Sequence, residues 1–248
     1  MFTLKGHTTF ITGAYGGLGA ACAKLFAQQG SNLILFDKNE NIVNLAEEIG
    51  TNAIAFVGDV TSEIDLEKAI SLGVTQFGSI ENMICCSGIV RAGAVTDTKI
   101  SDWQNVFDVN VLGVYLSCKE VLPIMEAQEY GRIVTISSHF GLVGAPRLAA
   151  YNASKGAVIQ LTKSIALDYG RKNIRANCLC PGMMKSDMFK NILKQVGNAR
   201  DWVDLMRGLP TGELEPEDIA KSALFLVSSA SNTMNGSVLV ADGGYTAR

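Results

Sequence analysis

Residues 131–155 read GRIVTISSHFGLVGAPRLAAYNASK, and this stretch decides the fold of the chain. Its first part, Arg132–Ser138, is rich in β-branched residues, which predicts a buried strand. A loop with glycine and proline follows, and then a helix of small residues begins. Tyr151 and Lys155 lie one helical turn apart on one face, near the Ser138 hydroxyl at the strand end. A hydroxyl, a phenol and an ammonium group so placed could form a proton-transfer centre.

A simpler alternative for this motif is an exposed tyrosine and lysine on an amphipathic helix. The rest of the chain argues against it, because strand and helix patterns alternate throughout, which predicts βαβ units. The strands are predicted at Thr8–Thr12, Asn32–Phe36, Ala53–Val57, Asn82–Cys86, Arg132–Ser138, Ile174–Cys180 and Ser237–Ala241. Right-handed crossovers give an α/β fold, a Rossmann-like doubly wound parallel sheet of seven strands with helices on both faces.

The helices complete this pattern within a single domain, residues 1–248, because no linker-like segment interrupts it. They are predicted at Gly17–Gln29, Glu40–Ile49, Ser62–Phe77, Ser101–Ala127, Ala149–Tyr169 and Pro216–Ser228. Residues 183–212 break the alternation, and we interpret them as an insertion that forms a lid over the substrate.

Composition excludes several classes of function. The chain has 248 residues, 48% of them hydrophobic, and a formal net charge of −3 without a basic stripe, which argues against nucleic acid. No apolar run reaches membrane-spanning length, and Met1–Thr12 lacks the features of a leader peptide. Most of the six cysteines fall inside predicted strands and helices, and Cys178-Leu179-Cys180 lacks a second ligand pair. We therefore expect a cytoplasmic protein without a metal site.

The loop between the first strand and the first helix is Thr12-Gly13-Ala14-Tyr15-Gly16-Gly17-Leu18-Gly19. Glycines there let backbone N–H groups approach a pyrophosphate at the helix amino terminus, although a ligand-free turn is the alternative. Asp37 ends the second strand, where a carboxylate would bind an adenosine ribose or cap the next helix. Asp59 and Val60 end the third strand and could hold adenine, although Asp59 could equally cap a turn.

Ligands of doubly wound sheets bind outside the carboxyl ends of the strands. The residues just past six of the predicted strands are Gly13, Asp37, Asp59, Gly88, Ser138 and Pro181. None of the six is a large apolar residue of the kind that fills a core. Turn chemistry alone would explain about half of this set, so the set supports a ligand site without identifying it.

Together these motifs resemble those of the short-chain dehydrogenase/reductase family, over essentially the whole chain. The matching residues are Thr12-Gly13-x-x-x-Gly17-x-Gly19, Asp59-Val60, Asn110, Ser138, Tyr151-x-x-x-Lys155, Pro181-Gly182 with Ser186, and Asp242-Gly243-Gly244. By this resemblance Tyr151 is the acid/base, and Lys155 holds the nicotinamide ribose and favours tyrosinate. Ser138, rather than Ser137, orients the substrate carbonyl, and Asn110 binds a water that relays protons from Lys155.

The resemblance also implies a set of cofactor-binding residues. They are Gly13, Tyr15, Gly16, Gly17, Leu18, Gly19, Asp37, Asp59, Val60, Cys86, Gly88, Tyr151, Lys155, Pro181, Gly182, Met184 and Ser186. One departure is Cys85-Cys86-Ser87-Gly88, which stands where the family usually has Asn-Asn-Ala-Gly. It could be a reactive thiol pair or two buried small side chains, and we favour the second.

The expected activity is NAD(H)-dependent interconversion of a secondary alcohol and a ketone on a small molecule. The alternatives are an NADPH-dependent 3-oxoacyl-(acyl-carrier-protein) reductase and a catalytically silent dinucleotide-binding sensor. NAD is expected rather than NADP because Asp37 would repel a 2′-phosphate, and Gly16 stands where NADP-preferring members carry a basic residue. Lys38 could weaken that repulsion. The resemblance further implies a homotetramer or dimer, formed by the helices at Ser101–Ala127 and Ala149–Tyr169.

The sequence does not name the substrate. Possible anchors for an anionic or hydroxylated substrate are Arg91, His139 and Arg147, although such residues more often cap turns or face solvent. The insertion carries an apolar set that fits either lid packing or a bulky apolar substrate. Its members are Met183, Met184, Met188, Trp202 and Met206.

Overall fold

The computed structural model describes residues 2–196 and 211–247. Its strands are β1 Thr8–Thr12, β2 Asn32–Asp37, β3 Ala53–Val57, β4 Asn82–Cys85, β5 Gly131–Ile136, β6 Ile174–Pro181 and β7 Val238–Ala241. Its helices are α1 Gly17–Gln28, α2 Ile42–Ile49, α3 Glu63–Phe77, α4 Ile100–Phe107, α5 Gly113–Gln128, α6 Ala149–Tyr169, α7 Asp187–Val196 and α8 Pro216–Val227. All strand pairs are parallel, in the order β3-β2-β1-β4-β5-β6-β7, which confirms the predicted sheet.

Helices cover both faces of the sheet, as predicted. Successive side chains of a strand point to opposite faces, so Phe10 packs in the core with α3, α5 and α6. The next residue, Ile11, packs in the core with α1, α2 and α8. Because both faces are covered, the central strands β1, β4 and β5 are buried along their whole length. In the described ranges, no helix combines the length and apolar character needed to cross a membrane.

The strand order reverses between β1 and β4, which opens a crevice at their carboxyl ends. The turns after these two strands approach each other closely at Gly13 and Ser87. Gly13 has a φ of +64°, and a Cβ at this position would lie 2.6 Å from the backbone nitrogen of Ser87. The predicted ligand site therefore depends on glycine at this position.

The predicted long helix at about Ser101–Ala127 is present, but it is not α-helical throughout. The structure has α4 and α5, joined by a π-helical turn at Asp108–Leu112. Asn110 lies in this turn, and its side chain is hydrogen-bonded to the backbone N–H and carbonyl of Ile89 at 2.8 and 3.0 Å. These two hydrogen bonds join the π-helical turn to the loop after β4, and helical periodicity does not reveal such a long-range contact.

Two smaller differences concern the ends of predicted elements. Strand β5 ends at Ile136, so Ser137 and Ser138 lie just beyond it rather than within it. The predicted insertion contains α7. Trp202 and Met206 lie outside the described residues.

Candidate active site

The amino terminus of α1 forms a cradle for a phosphate group. The helix begins at Gly17, and its N-cap, Gly16, has no side chain to bond the free N–H groups of the first turn. A Cβ at Gly19 would lie 2.1 Å from the carbonyl oxygen of Gly13, so only glycine lets the helix start this close to the turn. The residues present therefore fit the pyrophosphate of a dinucleotide.

A cleft of about 940 Å³ extends from this cradle along the carboxyl ends of the strands. All the residues predicted to bind the cofactor line it, from Asp37 at one end to Tyr151 and Lys155 at the other. The sequence analysis missed several further lining residues on α7 and on the loops. They include Asn39, Val109, Phe189, Lys190 and Glu213. The strong amphipathic pattern of α7 could have indicated that Phe189 faces inward.

Two carboxylates at the Asp37 end of the cleft accept hydrogen bonds from backbone N–H groups. Asp37 accepts hydrogen bonds from the N–H groups of Tyr15 at 3.0 Å and Asn39 at 2.9 Å. The alternative that it caps α2 is wrong, because Asn41 is the N-cap of that helix. Asp59 accepts bonds from the N–H and hydroxyl of Thr61, at 2.9 and 2.8 Å. Asp59 therefore does cap a turn, while also lining the cleft.

The three residues of the proposed proton-transfer centre meet at the other end of the cleft. The Tyr151 phenol hydrogen-bonds with Ser138, and the Lys155 Nζ lies 5.6 Å from the centre of the Tyr151 ring. Lys155 also donates to the carbonyl oxygen of Ile136 at 2.9 Å. Ser137 donates instead to the Lys155 carbonyl at 2.7 Å, so the two serine hydroxyls have separate partners.

Burial dominates the electrostatics of this centre. It raises the pKa of the Tyr151 phenol to about 12, although the hydrogen bond with Ser138 acts in the opposite direction. It lowers the pKa of the Lys155 ammonium to about 8. The protein's own residues thus favour a neutral phenol. The expectation that Lys155 favours tyrosinate also involves the positive charge of an oxidised nicotinamide, so it stays a prediction.

Asn110 does not line the cleft, but it supports the end of the cleft that carries Tyr151 and Lys155, which we call the catalytic end. Besides its two bonds to Ile89, its amide donates to the Ser154 hydroxyl on α6 at 3.0 Å. A Cβ at Gly88 would lie 3.4 Å from both Asn110 Oδ1 and Lys155 Nζ, so these two side chains flank the same glycine. Asn110 therefore ties the loop after β4 to the helix that carries Lys155.

The thiols of the Cys85-Cys86 pair have different partners. Cys85 hydrogen-bonds with Cys118, and this bond and burial raise its pKa well above the ordinary value. Cys86 contacts Cys22 on α1 and also lines the cleft. A raised pKa disfavours the reactive thiolate, so Cys85 behaves as a buried small side chain.

A smaller, mostly apolar cavity of about 90 Å³ adjoins the catalytic end. It is lined by Val90, Ser138, His139, Phe140, Leu148, Tyr151, Gly182, Met183, Met184, Ser186, Met188, Phe189 and Ile192. Of the three possible substrate anchors, only His139 lines it. Arg91 lies 4.0 Å from Asp102, and Arg147 lies 3.9 Å from Asp97. The two arginines thus have surface carboxylates as neighbours.

Comparison with known proteins agrees with this geometry. A family described as enoyl-(acyl carrier protein) reductase matches residues 13–246. Oxidoreductase UcpA of Escherichia coli K12 is 36% identical over 99% of this chain and 97% of its own length. The chain belongs to the short-chain dehydrogenase/reductase family. It is therefore an oxidoreductase of the class that acts on CH–OH groups or ketones with a nicotinamide dinucleotide, which argues against the silent sensor.

The chain is also similar to other dehydrogenases and reductases. The 2-(R)-hydroxypropyl-CoM dehydrogenase of Xanthobacter autotrophicus is 37% identical over 97% of this chain and 99% of its own. A crystal structure of the 3-ketoacyl-(acyl-carrier-protein) reductase from Brucella melitensis complexed with NADH has a TM-score of 0.90. It is 28% identical and covers 98% of this chain and 100% of that one.

Proposed function

We propose that this protein is an NAD(H)-dependent oxidoreductase that interconverts a secondary alcohol and a ketone on a small molecule. The observation that carries the proposal is the arrangement of one continuous cleft. The Ser138 and Tyr151 hydroxyls lie hydrogen-bonded at one end of it, beside Lys155, and the Asp37 carboxylate lies at the other. A dinucleotide has the length to connect two such ends.

The cleft residues have distinct roles in binding. Gly16 and the first turn of α1 hold the pyrophosphate, Asp37 holds the adenosine ribose, and Lys155 holds the nicotinamide ribose. Met184 and Ser186 lie beside the carboxamide. When bound, the nicotinamide donates or accepts the hydride.

Tyr151 then exchanges a proton with the substrate oxygen, which Ser138 orients by a hydrogen bond. Because burial keeps its phenol neutral, Tyr151 is ready to act as the acid in ketone reduction. In alcohol oxidation Tyr151 must lose that proton first. Nearby positive charge, from Lys155 and from the oxidised nicotinamide, would lower the pKa of the phenol toward the working pH.

The preference for NAD rests on Asp37 and Lys38, which both line the cleft. The Asp37 carboxylate is fixed by two backbone N–H groups, whereas Lys38 is exposed. A fixed carboxylate can accept a bond from a 2′-hydroxyl and repels a 2′-phosphate, and an exposed lysine screens that repulsion weakly. We expect kcat/KM to favour NAD(H) over NADP(H) by about tenfold or more, since tenfold corresponds to about 1.4 kcal/mol.

Steady-state kinetics with both cofactors test this preference. Asp37→Ala should lower the ratio of kcat/KM for NAD(H) to kcat/KM for NADP(H), mainly by improving kcat/KM for NADP(H). Lys38→Ala should leave the kinetics with NAD(H) close to wild type. A wild-type preference for NADPH would show that Lys38, not Asp37, decides cofactor choice. A panel of sugars, polyols, hydroxy acids and steroids with the preferred cofactor tests the reaction itself, and a lack of turnover on every class would contradict it.

A 3-oxoacyl-(acyl-carrier-protein) reductase is the second candidate. It is favoured by similarity to a protein of that name in Chlamydia muridarum, 32% identical over 97% of this chain. Acetoacetyl-CoA with NADPH separates the two candidates. If that pair is turned over faster than any alcohol or ketone with NAD(H), the second candidate is correct.

We also propose that the chain works as a homotetramer or dimer in the cytoplasm. Exposed apolar side chains on α4, α5 and α6 support the assembly: Trp103 is 40%, Tyr115 48% and Leu167 83% exposed. The six free cysteines support a reducing compartment. A light-scattering mass near that of one chain at micromolar concentration would contradict the assembly.

A further inference from the structure

His139 is a polar residue in the wall of the apolar cavity, and the proposed reaction does not use it. It directly follows Ser138, is only 2% exposed, and lines the cavity together with Ser138 and Tyr151. The aromatic ring of Tyr245 packs edge-on against the imidazole, with the ring centres 4.9 Å apart. The histidine is therefore fixed beside the place where the substrate oxygen is held.

The hydrogen bonds of the imidazole define its tautomer. Its Nδ1 lies 2.9 Å from the carbonyl oxygen of Pro181, which can only accept, so Nδ1 carries the proton. Burial lowers the pKa of the ring, although the Pro181 bond and the Asp242 carboxylate act in the opposite direction, and the ring is neutral at pH 7. Its Nε2 is thus a bare acceptor, and within residues 2–196 and 211–247 it has no hydrogen-bond partner.

A buried acceptor without a partner is unfavourable, and the cavity offers few protein groups to satisfy it. Its lining beyond the catalytic end is mainly Val90, Leu148, Met183 and Ile192. Neither of the arginines considered as anchors, nor any lysine, belongs to that lining. The missing donor can instead come with the substrate, as an O–H group that enters the cavity.

We propose that His139 Nε2 accepts a hydrogen bond from a hydroxyl group on the substrate carbon beside the reacting carbonyl. The preferred substrates would then be uncharged α-hydroxyketones and the corresponding vicinal diols. The position is inferred from the ring: Nδ1 is 3.5 Å from Ser138 Oγ, to which the proposed reaction assigns the reacting oxygen, and Nε2 is the other nitrogen of the same ring, so the carbon beside the carbonyl is the nearest place for its donor. Since Nε2 is an acceptor on a neutral ring, it would not hold an anion. This inference rests on the proposed alcohol–ketone function.

Three matched ketones test the subsite. In 3-hydroxybutan-2-one the group beside the carbonyl is a donor, in 3-methylbutan-2-one it is a methyl of similar size, and in 3-methoxybutan-2-one it is an acceptor only. We expect kcat/KM of the wild type for the hydroxyketone to exceed both others by about tenfold, the usual worth of one buried hydrogen bond. Equal kcat/KM values for the three ketones would overturn the proposal.

Variants of His139 identify the atom responsible. His139→Asn places an amide N–H where Nδ1 was, so it keeps a donor for the Pro181 carbonyl and loses the Nε2 acceptor. It should remove the preference by raising KM for the hydroxyketone alone. His139→Gln, whose amide reaches the former Nε2 position, should restore part of it. The matched control is His7→Asn, the other histidine, which lies just before β1 at the opposite end of the sheet.

A binding measurement separates this inference from the proposed function. If none of the ketones is reduced, the proposed function fails for this class, and thermal shifts of the NADH-loaded protein by the same three ketones become the readout. A larger shift with the hydroxyketone in wild type, absent in His139→Asn, would support the subsite. Equal shifts, or a preference that persists in His139→Asn, would overturn it.

Discussion

Both ends of the parallel sheet bury cations, but they stabilise them in different ways. At the amino end, Arg132 on β5 and Arg175 on β6 are paired in register and are 5% and 7% exposed. At the carboxyl end, Lys155 on α6 is 4% exposed. Burying a cation is costly unless hydrogen bonds or charges compensate for lost water, so the comparison depends on what surrounds each group.

The amino end surrounds its cations with carbonyl groups. Arg132 donates to the carbonyl oxygens of Gly131 and Asn173, at 2.8 and 2.7 Å. Arg175 donates to the carbonyls of Ser228 and Ser231, just past the end of α8. The carboxyl end of a helix carries partial negative charge, so this is a favourable place for a guanidinium group.

The carboxyl end gives its cation fewer hydrogen bonds. In the described part of the chain, Ile136 supplies the one hydrogen bond assigned to Lys155. Burial lowers the pKa of Lys155 to about 8, and nearby thiols, Cys178 foremost, oppose this only in part. Burial also lowers the pKa of Arg175, to about 10, so both ends carry a cost of desolvation. The two ends differ in the number of carbonyl partners and in access, because Lys155 has one such partner and lines the cleft, where a ligand can use its charge.

The largest effect should come from Tyr151→Phe, which separates activity from stability at the carboxyl end. The ring keeps its packing, but the transferable proton is lost, so kcat should fall by about 100- to 10,000-fold. The free energy of unfolding should stay within about 1 kcal/mol of wild type, because no core atom is removed. Assays of turnover, NADH binding by fluorescence and urea denaturation check this. Near-normal turnover would contradict the assignment of Tyr151 as the acid/base.

Arg175→Met should have the opposite signature, a loss of stability with little change in the chemistry. It leaves buried carbonyls without donors, and hydrogen bonds to charged groups contribute about 1.5–3 kcal/mol each, so we expect a loss of about 3 kcal/mol. Urea denaturation measures that loss, and kcat per folded molecule should be unchanged. The control is Arg171→Met, an exposed position, which should change stability by less than about 0.5 kcal/mol. If Arg175→Met and Arg171→Met have the same free energy of unfolding, the hydrogen bonds of Arg175 do not stabilise the amino end and the prediction is wrong.

The sequence predicted the carboxyl end better than the amino end, for a physical reason. Residues at the carboxyl end are placed by local patterns: Ser138 by the end of a strand, and Tyr151 and Lys155 by one turn of a helix. The partners of Arg175 lie more than 50 residues further along the chain, in the turn after α8. No periodicity brings such partners together, so the sequence analysis did not single out this cluster.

Long-range contacts, which no sequence periodicity reveals, also explain what could not be predicted within the site. Asn110 lies in a π turn and bonds to Ile89, 21 residues before it, and His139 bonds to Pro181, 42 residues after it. The direction of the pKa shift of Tyr151 depends on how much water the fold removes. That is a property of the packed protein, whereas the charge of Lys155 can be read from the sequence alone.

The sharpest test of the contrast is the pH dependence of stability in Lys155→Met, where the expected effect is no larger than that of Arg175→Met. The unfolded chain titrates this amine near its ordinary value of 10.5, and the folded protein near 8. Between these pH values the unfolded state binds more protons, so the free energy of unfolding of the wild type rises with pH across this window. Below pH 8 the buried ammonium destabilises the folded state, by up to about 3 kcal/mol.

Lys155→Met removes this titration and replaces the amine with a side chain suited to an apolar site. The variant should therefore be more stable than wild type at pH 7, and the difference should shrink as pH approaches 10, measured by urea denaturation at pH 7, 8, 9 and 10. Lys68→Met, at an exposed site on α3, should give a difference that does not change with pH. If Lys155→Met is instead destabilised at every pH, as expected for Arg175→Met, then both ends compensate their cations fully and the contrast between them is wrong.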